Sequence, residues 1–369
     1  MRAFGCEQPM WASGAYGYLS DYLWWWLVLA SLLVHTWCFF RFFPRTRLRK
    51  LGLVLGNLLV MLTMLEFAGL VGETYVRFLV VETDSYGASL VAKRWFLIHP
   101  ELNSLYCRDA EWAEHKPEGV YRIAFVGDSF TYGWGINDVK DRFSDIIQAR
   151  FNERSPGEIE VMNVAWAGWD TRAELGAVHD MIQDYGVDEV VLCYIPNDIE
   201  TLLPTTPDFD PKKPPKSRYI NTDSSFLLDY LYHRIFARHT PTVRSYWDWL
   251  ADGFENPEIW AKERRLLNQI IELCAEHDVR LRVALLPFIQ TQGKHYDASA
   301  IQAKVAAVFA GQSVSVVDLL PVIEGKDARD LVVNSHDPHP NEAAHRLFAD
   351  AIWKALYAAV LPRREAAEE

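Results

Sequence analysis

The chain has 369 residues, half of them apolar and 13 % aromatic with 14 tryptophans, enough for one large buried core or two ordinary ones. A formal charge of −12, with no basic cluster in the globular part, excludes general affinity for nucleic acid. Cys6, Cys38, Cys107, Cys193 and Cys274 are scattered without a C-x-x-C pair, which excludes a zinc knuckle or a disulfide framework and leaves at most an isolated disulfide.

Taken in chain order, the first elements are two apolar runs. Tyr22 to Phe40 carries no formal charge, and Leu51 to Gly72 carries only Glu66. A helix rises about 1.5 Å per residue and a bilayer core is roughly 30 Å thick, so each run is long enough to span it. The segment between them holds Arg41, Arg45, Arg47, Arg49 and Lys50 and no acid, whereas the outer flanks hold little more than Arg2 and Arg77. Positive loops stay in the cytoplasm, so both ends of this hairpin are expected outside it. A cleaved signal peptide is the alternative for the first run. Glu7 and Asp21 in its leading segment, and the lack of an A-x-A-like site after it, argue against that. Glu66 is expected near the outer interface, and Gly52-x-x-x-Gly56 reads as a helix-packing face or as ordinary glycine spacing.

From Arg122 onward, short apolar runs alternate with amphipathic stretches. Strands are expected at 121–127, 159–165, 188–195, 279–287 and 314–319. Helices are expected at 139–152, 172–186, 261–278, 298–311 and 341–360. Strands followed by helices imply parallel pairing with right-handed crossovers, hence a three-layer α/β/α sandwich with a mainly parallel sheet. Residues 201–257 interrupt the alternation with a proline-rich stretch and then an aromatic-rich one. A segment of that length is a lid or binding element, or a surface excursion packed on itself.

Polar residues end the strands. The first leads into Gly127-Asp128-Ser129, the second into "NVAWAGWDT" with Asn163 and Gly168, and the third into Asn197 and Asp198. "NSHDPHPNEAAH" precedes the last helix. In open α/β sheets, reactive groups gather beyond the carboxyl ends of the strands. A serine hydroxyl becomes a nucleophile when an imidazole takes its proton and a third group orients that imidazole. Backbone N–H groups and a carboxamide suffice to stabilise the oxyanion. Each residue alone has a plainer reading, as a helix cap or a turn. Asp128 and Asp198 read as structural turn acids, and Trp134, Trp166 and Trp169 as core or pocket wall.

The four blocks, in this order, resemble the SGNH, or GDSL-like, hydrolase superfamily over residues 95–360, in the manner of its membrane-tethered bacterial members. The resemblance implies a flavodoxin-like sandwich with Ser129 as nucleophile and His339 as general base. It also implies an oxyanion hole from the Ser129 N–H, the Gly168 N–H and the Asn197 side chain, and no metal or organic cofactor. The commoner pattern places the acid three residues before the histidine, where this chain has His336. The nearest acid is Asp337, two residues before His339, an arrangement similar to alginate-type O-acetyltransferases. Asp337 is therefore the expected orienter, with a backbone carbonyl as its substitute and His336 as a minor alternative base. His345 reads as a helix residue.

The expected division is an N-terminal extracytoplasmic segment at 1–21, a transmembrane hairpin at 22–72 and a linker at 73–120. A hydrolase-like domain at 121–362 and a C-terminal tail at 363–369 follow. The expected activity is a Ser-His-Asp esterase acting on acyl or O-acetyl esters of envelope glycans, from the outer side of a bacterial inner membrane. The alternatives are an O-acetyltransferase with the same triad, which would need a membrane partner to supply its acyl group, and a non-catalytic glycan-binding or assembly protein. The partners implied are an ester-bearing substrate and membrane lipid.

Overall fold

The computed structural model describes residues 17–43, 49–206, 209, 210, 213, 222, 224–237, 241–290 and 296–358. Arg45 and Arg47 of the basic loop, Cys6, most of the proline-rich stretch and the expected tail at 363–369 lie outside the described residues. The chain opens with α1 (Gly17–Phe42) and α2 (Arg49–Leu79). Hydrogen bonds join Tyr22 to Thr74 at 2.9 Å and Thr36 to Thr63 at 3.1 Å. The residue numbers run in opposite senses, so the two helices are antiparallel. Gly52 and Gly56 lie against Phe43 and Phe40; a Cβ at Gly52 would stand 2.5 Å from the Phe43 ring. The Gly-x-x-x-Gly spacing is thus a packing face. Both helices are long and apolar enough to cross a membrane, and only 6 % and 11 % of their apolar windows are buried, unlike core helices.

The second apolar run was expected to end at Gly72, but α2 continues to Leu79, which leaves Glu66 well inside the helix rather than near its end. The hydropathy falls where Glu73 and Arg77 occur, yet these two pair at 2.7 Å one turn apart and prolong the helix. Arg94 donates to the carbonyls of Arg77 and Phe78, satisfying the helix end. Arg94 belongs to α3 (Leu90–Ile98), a helix absent from the sequence reading, which Ser89 caps by accepting from Ala92 N.

The globular part runs β1 (Tyr121–Gly127), α4 (Ser129–Tyr132), α5 (Phe143–Arg154), β2 (Ile159–Ala165), α6 (Thr171–Tyr185) and β3 (Glu189–Tyr194). The interruption supplies α7 (Phe226–Ile235) and α8 (Pro241–Glu255). Then come α9 (Pro257–Glu276), β4 (Arg280–Leu285), α10 (Ala298–Phe309), β5 (Ser315–Asp318) and α11 (Leu320–Ile323). The hairpin β6 (Val332–Asn334) and β7 (Asp337–Pro340) leads into α12 (Glu342–Ile352). The sheet order is β2-β1-β3-β4-β5 with every neighbouring pair parallel. This is the doubly wound, flavodoxin-like order, whose direction reverses between β1 and β3. Residues of β1 alternate between the two faces. Ala124 and Val126 pack with Val178 of α6, Leu267 of α9 and Val305 of α10. Ile123 and Phe125 pack with Phe143 and Ile147 of α5 and Phe348 of α12. Both faces are therefore covered, as a parallel sheet requires.

Candidate active site

The register aligns Gly127 with Ala165 on one side and Cys193 on the other, so β1, β2 and β3 end level. The residues just beyond them, Ser129, Gly168 and Asn197, line one cleft of about 520 Å³. Gly127 is needed where it stands, since a Cβ there would meet Thr131 Oγ1 at 2.3 Å. Asp128 then caps α4, its carboxylate accepting from Phe130 N at 2.9 Å. Two buried arginines secure the loop that follows. Arg108 donates to the carbonyls of Gly133 and Ile136, and Arg142 donates to that of Arg108 and to the Asp145 carboxylate.

The histidine arrives on β7. Side chains two apart on a strand share a face, which is how Asp-x-His serves where a longer spacing would serve in a loop. Asp337 Oδ1 lies 2.5 Å from His339 Nδ1, and His339 Nε2 lies 2.9 Å from Ser129 Oγ. A carboxylate only accepts, so Nδ1 carries the proton and Nε2 offers its lone pair to the serine hydroxyl. Asp337 is fully buried and also accepts from the His339 N–H at 3.2 Å. The Trp134 ring stacks on His339 at 5.5 Å and 27°, and its Nε1 donates to Asp84 O. The missing Cβ of Gly87, at φ +60°, would stand 2.6 Å from that ring.

The expected oxyanion donors are less fully drawn. Gly168, at φ +81°, forms a left-handed turn on the cleft wall. Asn197 Nδ2 donates to Asp128 Oδ2 at 3.0 Å, an orientation the carboxylate enforces because the amide oxygen would repel it. The same Asp128 oxygen lies 3.2 Å from Ser129 Oγ, farther than His339 Nε2. Asp128 is thus more than a turn acid, since it touches both the serine and the carboxamide. Its place inside the Gly-Asp-Ser triplet was the available signal. Burial pushes its carboxyl up, and the donors from Asn197 and Phe130 oppose this.

Asn163, one of the strand-end residues, is structural: its Nδ2 donates to Thr131 O and Ser144 Oγ. Asp198 keeps its turn role, accepting from Ile195 N at 2.8 Å. Trp166 packs on Tyr132, and Trp169 is buried in the core. His336 lines the cleft, and its carbonyl accepts from Ser85 N and Oγ, but the imidazole on Ser129 is that of His339. His345 is fully buried in α12, accepts from Phe143 N and stacks on the Phe143 ring. Burial and the nearby Arg142 lower its pKa to about 3, so it stays neutral. Behind the cleft, Glu174, Asp198 and Glu263 are buried together. Burial and mutual repulsion raise Glu174 and Asp198, and burial carries Glu263 to about 7. No group of metal-ligating side chains converges among the described residues. Cys38, Cys107, Cys193 and Cys274 are free thiols.

Part of the cleft wall comes from the interruption at 201–257, one reading of which is a lid or binding element: Tyr230 and Arg234 from α7, and Tyr246 and Trp247 from α8. Sequence reasoning missed Glu82 and Tyr86, from the segment after α2, because nothing local in sequence links that stretch to Ser129.

The family model for the GDSL-like Lipase/Acylhydrolase family matches residues 125–347, more than half of the chain. Solved structures similar to it include TesA, with 14 % identity over 64 % of this chain and 98 % of that one and a TM-score of 0.42. The psychrotrophic esterase EstA from Pseudoalteromonas sp. shares 13 % identity over 63 % of this chain and 95 % of its own, with a TM-score of 0.40. A catalytic mutant of Axe2, an acetylxylan esterase from Geobacillus stearothermophilus, shares 13 % over 64 % and 93 %, with a TM-score of 0.39. No curated protein sequence matches the chain.

Proposed function

Because the chain belongs to the GDSL-like lipase/acylhydrolase family, and so is an ester-bond hydrolase, we propose that Ser129, His339 and Asp337 carry its chemistry. The observation behind this is the continuous pair of contacts, 2.9 Å from Ser129 Oγ to His339 Nε2 and 2.5 Å from His339 Nδ1 to Asp337. Ser129 Oγ bonds to the ester carbonyl carbon while its proton passes to Nε2, and the carbonyl π pair becomes the oxyanion. The Ser129 and Gly168 N–H groups and the Asn197 side chain receive that charge. Collapse breaks the C–O bond, and the leaving alkoxide takes the proton from Nε2. Water repeats the sequence on the acyl-enzyme and restores the serine. Asp337 stabilises the imidazolium at each stage. His339 and Asp337 standing away from Ser129 would have favoured a non-catalytic reading, and their contacts support the catalytic one.

The cleft exceeds what an acetyl group fills. Its Tyr86, Tyr230, Tyr246 and Trp247 walls with the acids Glu82 and Glu200 suit a sugar ring, whose apolar face stacks and whose hydroxyls donate. The proposed substrate is therefore an acyl or O-acetyl ester on an envelope glycan. The same walls would accommodate a sugar hydroxyl in place of water, the O-acetyltransferase alternative. The α1–α2 pair is the membrane anchor in this reading. The basic residues between the helices lie in the cytoplasm, and the catalytic unit lies at residues 121–362 on the opposite side of the bilayer.

The test is hydrolysis of p-nitrophenyl acetate by the full chain in detergent. Ser129→Ala should lower kcat/KM by about 10⁴-fold or more. An active Ser129→Ala enzyme would refute the assignment. Release of acetate in water, against its transfer to an added oligosaccharide, separates hydrolase from transferase.

A further inference from the structure

Helix α7 carries its polarity the wrong way round for a surface helix. Leu228, Leu231, Ile235 and Phe236 are exposed, the last at 61 %. Their i, i+3, i+7, i+8 spacing gathers them on one face. The other side of the helix is inward: Phe226 and Asp229 are buried, and Tyr230, His233 and Arg234 line the catalytic cleft. Water therefore has the apolar face, and the cleft has the polar one.

The position of α7 is fixed by α2. The buried Glu73 carboxylate accepts from Arg77 Nε, Ser225 Oγ, Phe226 N and Leu227 N, at 2.8 to 3.0 Å. An anion from α2 thus caps the N-terminus of α7, where the helix dipole favours negative charge. Leu227 packs on Gly72, and the Arg77 guanidinium sits 4.8 Å above the Phe226 ring. The last turns of α2 expose Tyr75, Phe78 and Leu79. The start of α7 is thus bolted to the end of the α1–α2 pair farthest from its connecting loop, so two sets of exposed apolar side chains, those of the last turns of α2 and those of α7, occur at the same end of the pair.

We propose that α7 lies in the outer interface of the bilayer, with Leu228, Leu231, Ile235 and Phe236 in the lipid and its opposite face walling the catalytic cleft. The occupant of this face is lipid, because α7 starts at the end of a helix pair already suited to lipid by length and composition, and because an amphipathic helix seats its apolar side at the headgroup boundary. The cleft then opens at the membrane surface, and an ester reaches Ser129 from there. The inference rests on reading α1 and α2 as membrane spans.

The test uses the full chain in phosphatidylethanolamine–phosphatidylglycerol vesicles, with Cys6 and Cys38 replaced by serine. An environment-sensitive fluorophore is attached to a cysteine at one position at a time. Leu231→Cys and Ile235→Cys test the helix face, Leu62→Cys tests the span, and Glu276→Cys, exposed at the last turn of α9 ahead of the amino end of β4, is the aqueous control. The expected result is blue-shifted emission on α7, quenched more by a spin label near the headgroup than by one at the chain end. Position 62 should show the reverse, and position 276 neither. Aqueous emission on α7 with position 62 quenched by the deep label overturns the proposal and leaves the spans intact. Aqueous emission at position 62 overturns both. Blue-shifted emission on α7 that no lipid label quenches would mean that protein, such as a second copy, covers the face, and also overturns it.

Discussion

At the scale of the residue, the site depends on which atom each polar group has left to offer. Asp337 Oδ1 serves both the ring and the backbone of His339, so Asp337→Asn would present an amide where an acceptor is needed and disturb the tautomer. The expected outcome is a kcat lower by about 10²–10⁴-fold with KM little changed. Steady-state kinetics on a chromogenic acetate ester check this, and an unchanged kcat would return the orienting role to a backbone carbonyl. Asn197 gives one N–H to Asp128, and the proposed mechanism assigns its carboxamide to the oxyanion. Asn197→Ala should lower kcat by about 10²–10³-fold, the usual loss for one oxyanion donor. Equal losses in binding of the substrate and of a phosphonate inhibitor would contradict that role. Ser129, His339 and Asp337 were offered by the sequence through the resemblance of its ordered blocks rather than by any residue alone, and the structure brings the three side chains into contact. The contacts of Asp128 were not legible there, because Asn197 is 69 positions away and only the sheet register brings them together.

At the scale of the element, the strands and most of the crossover helices follow from alternation and helical spacing, since burial on both faces of a parallel sheet imposes a strong pattern. The elements that escaped are those whose partners lie far off in sequence. β7 reads as Asp-Pro-His-Pro, poor strand material by composition, and it persists as a short arm whose strand partner among the described residues is β6. The last turns of α2 look like the end of an apolar run, yet Glu73 finds its partners at 225–227. Glu73→Ala would remove the carboxylate beside the buried Arg77 guanidinium and leave α7 with the Ser225 cap alone, a loss of about 3 kcal/mol or more for a broken buried pair. Hydrogen exchange of the 226–235 peptide should accelerate, while that of β1 and β3 should not. Unchanged exchange in α7 would show that something other than Glu73 fixes this helix.

At the scale of the whole molecule, the buried ionisable groups set opposing pH dependences. Glu263 titrates near 7 when folded, against an ordinary 4.5, so its neutral form is the favoured one. Its contribution is fully present below about pH 4.5 and is lost as the pH rises toward 7. His345 falls to about 3 from 6.5 and acts the other way: its contribution is full above about pH 6.5 and is lost as the pH falls toward 3, because the unfolded chain takes up the proton first. Comparing wild type with Glu263→Gln isolates the first effect. The Tm of wild type relative to the variant should be lower at pH 8 than at pH 5, and a difference independent of pH would exclude a titrating Glu263.

The segment from Glu82 to Ser89 ties these scales together. It carries the carbonyl that receives Trp134 Nε1, the hydroxyl and N–H that hold the His336 carbonyl, and the cap of α3. Its sequence resembles a spacer, and a protein engineer seeking a soluble fragment would cut there. Such a fragment, beginning after Ser89, would keep every residue of the triad and lose the brace behind its imidazole. Circular dichroism should still show the sheet, whose own pairing the cut leaves intact, while α7 is loosened for want of Glu73 and turnover is poor, so a weak ester assay on the truncated piece would measure the cut rather than the enzyme.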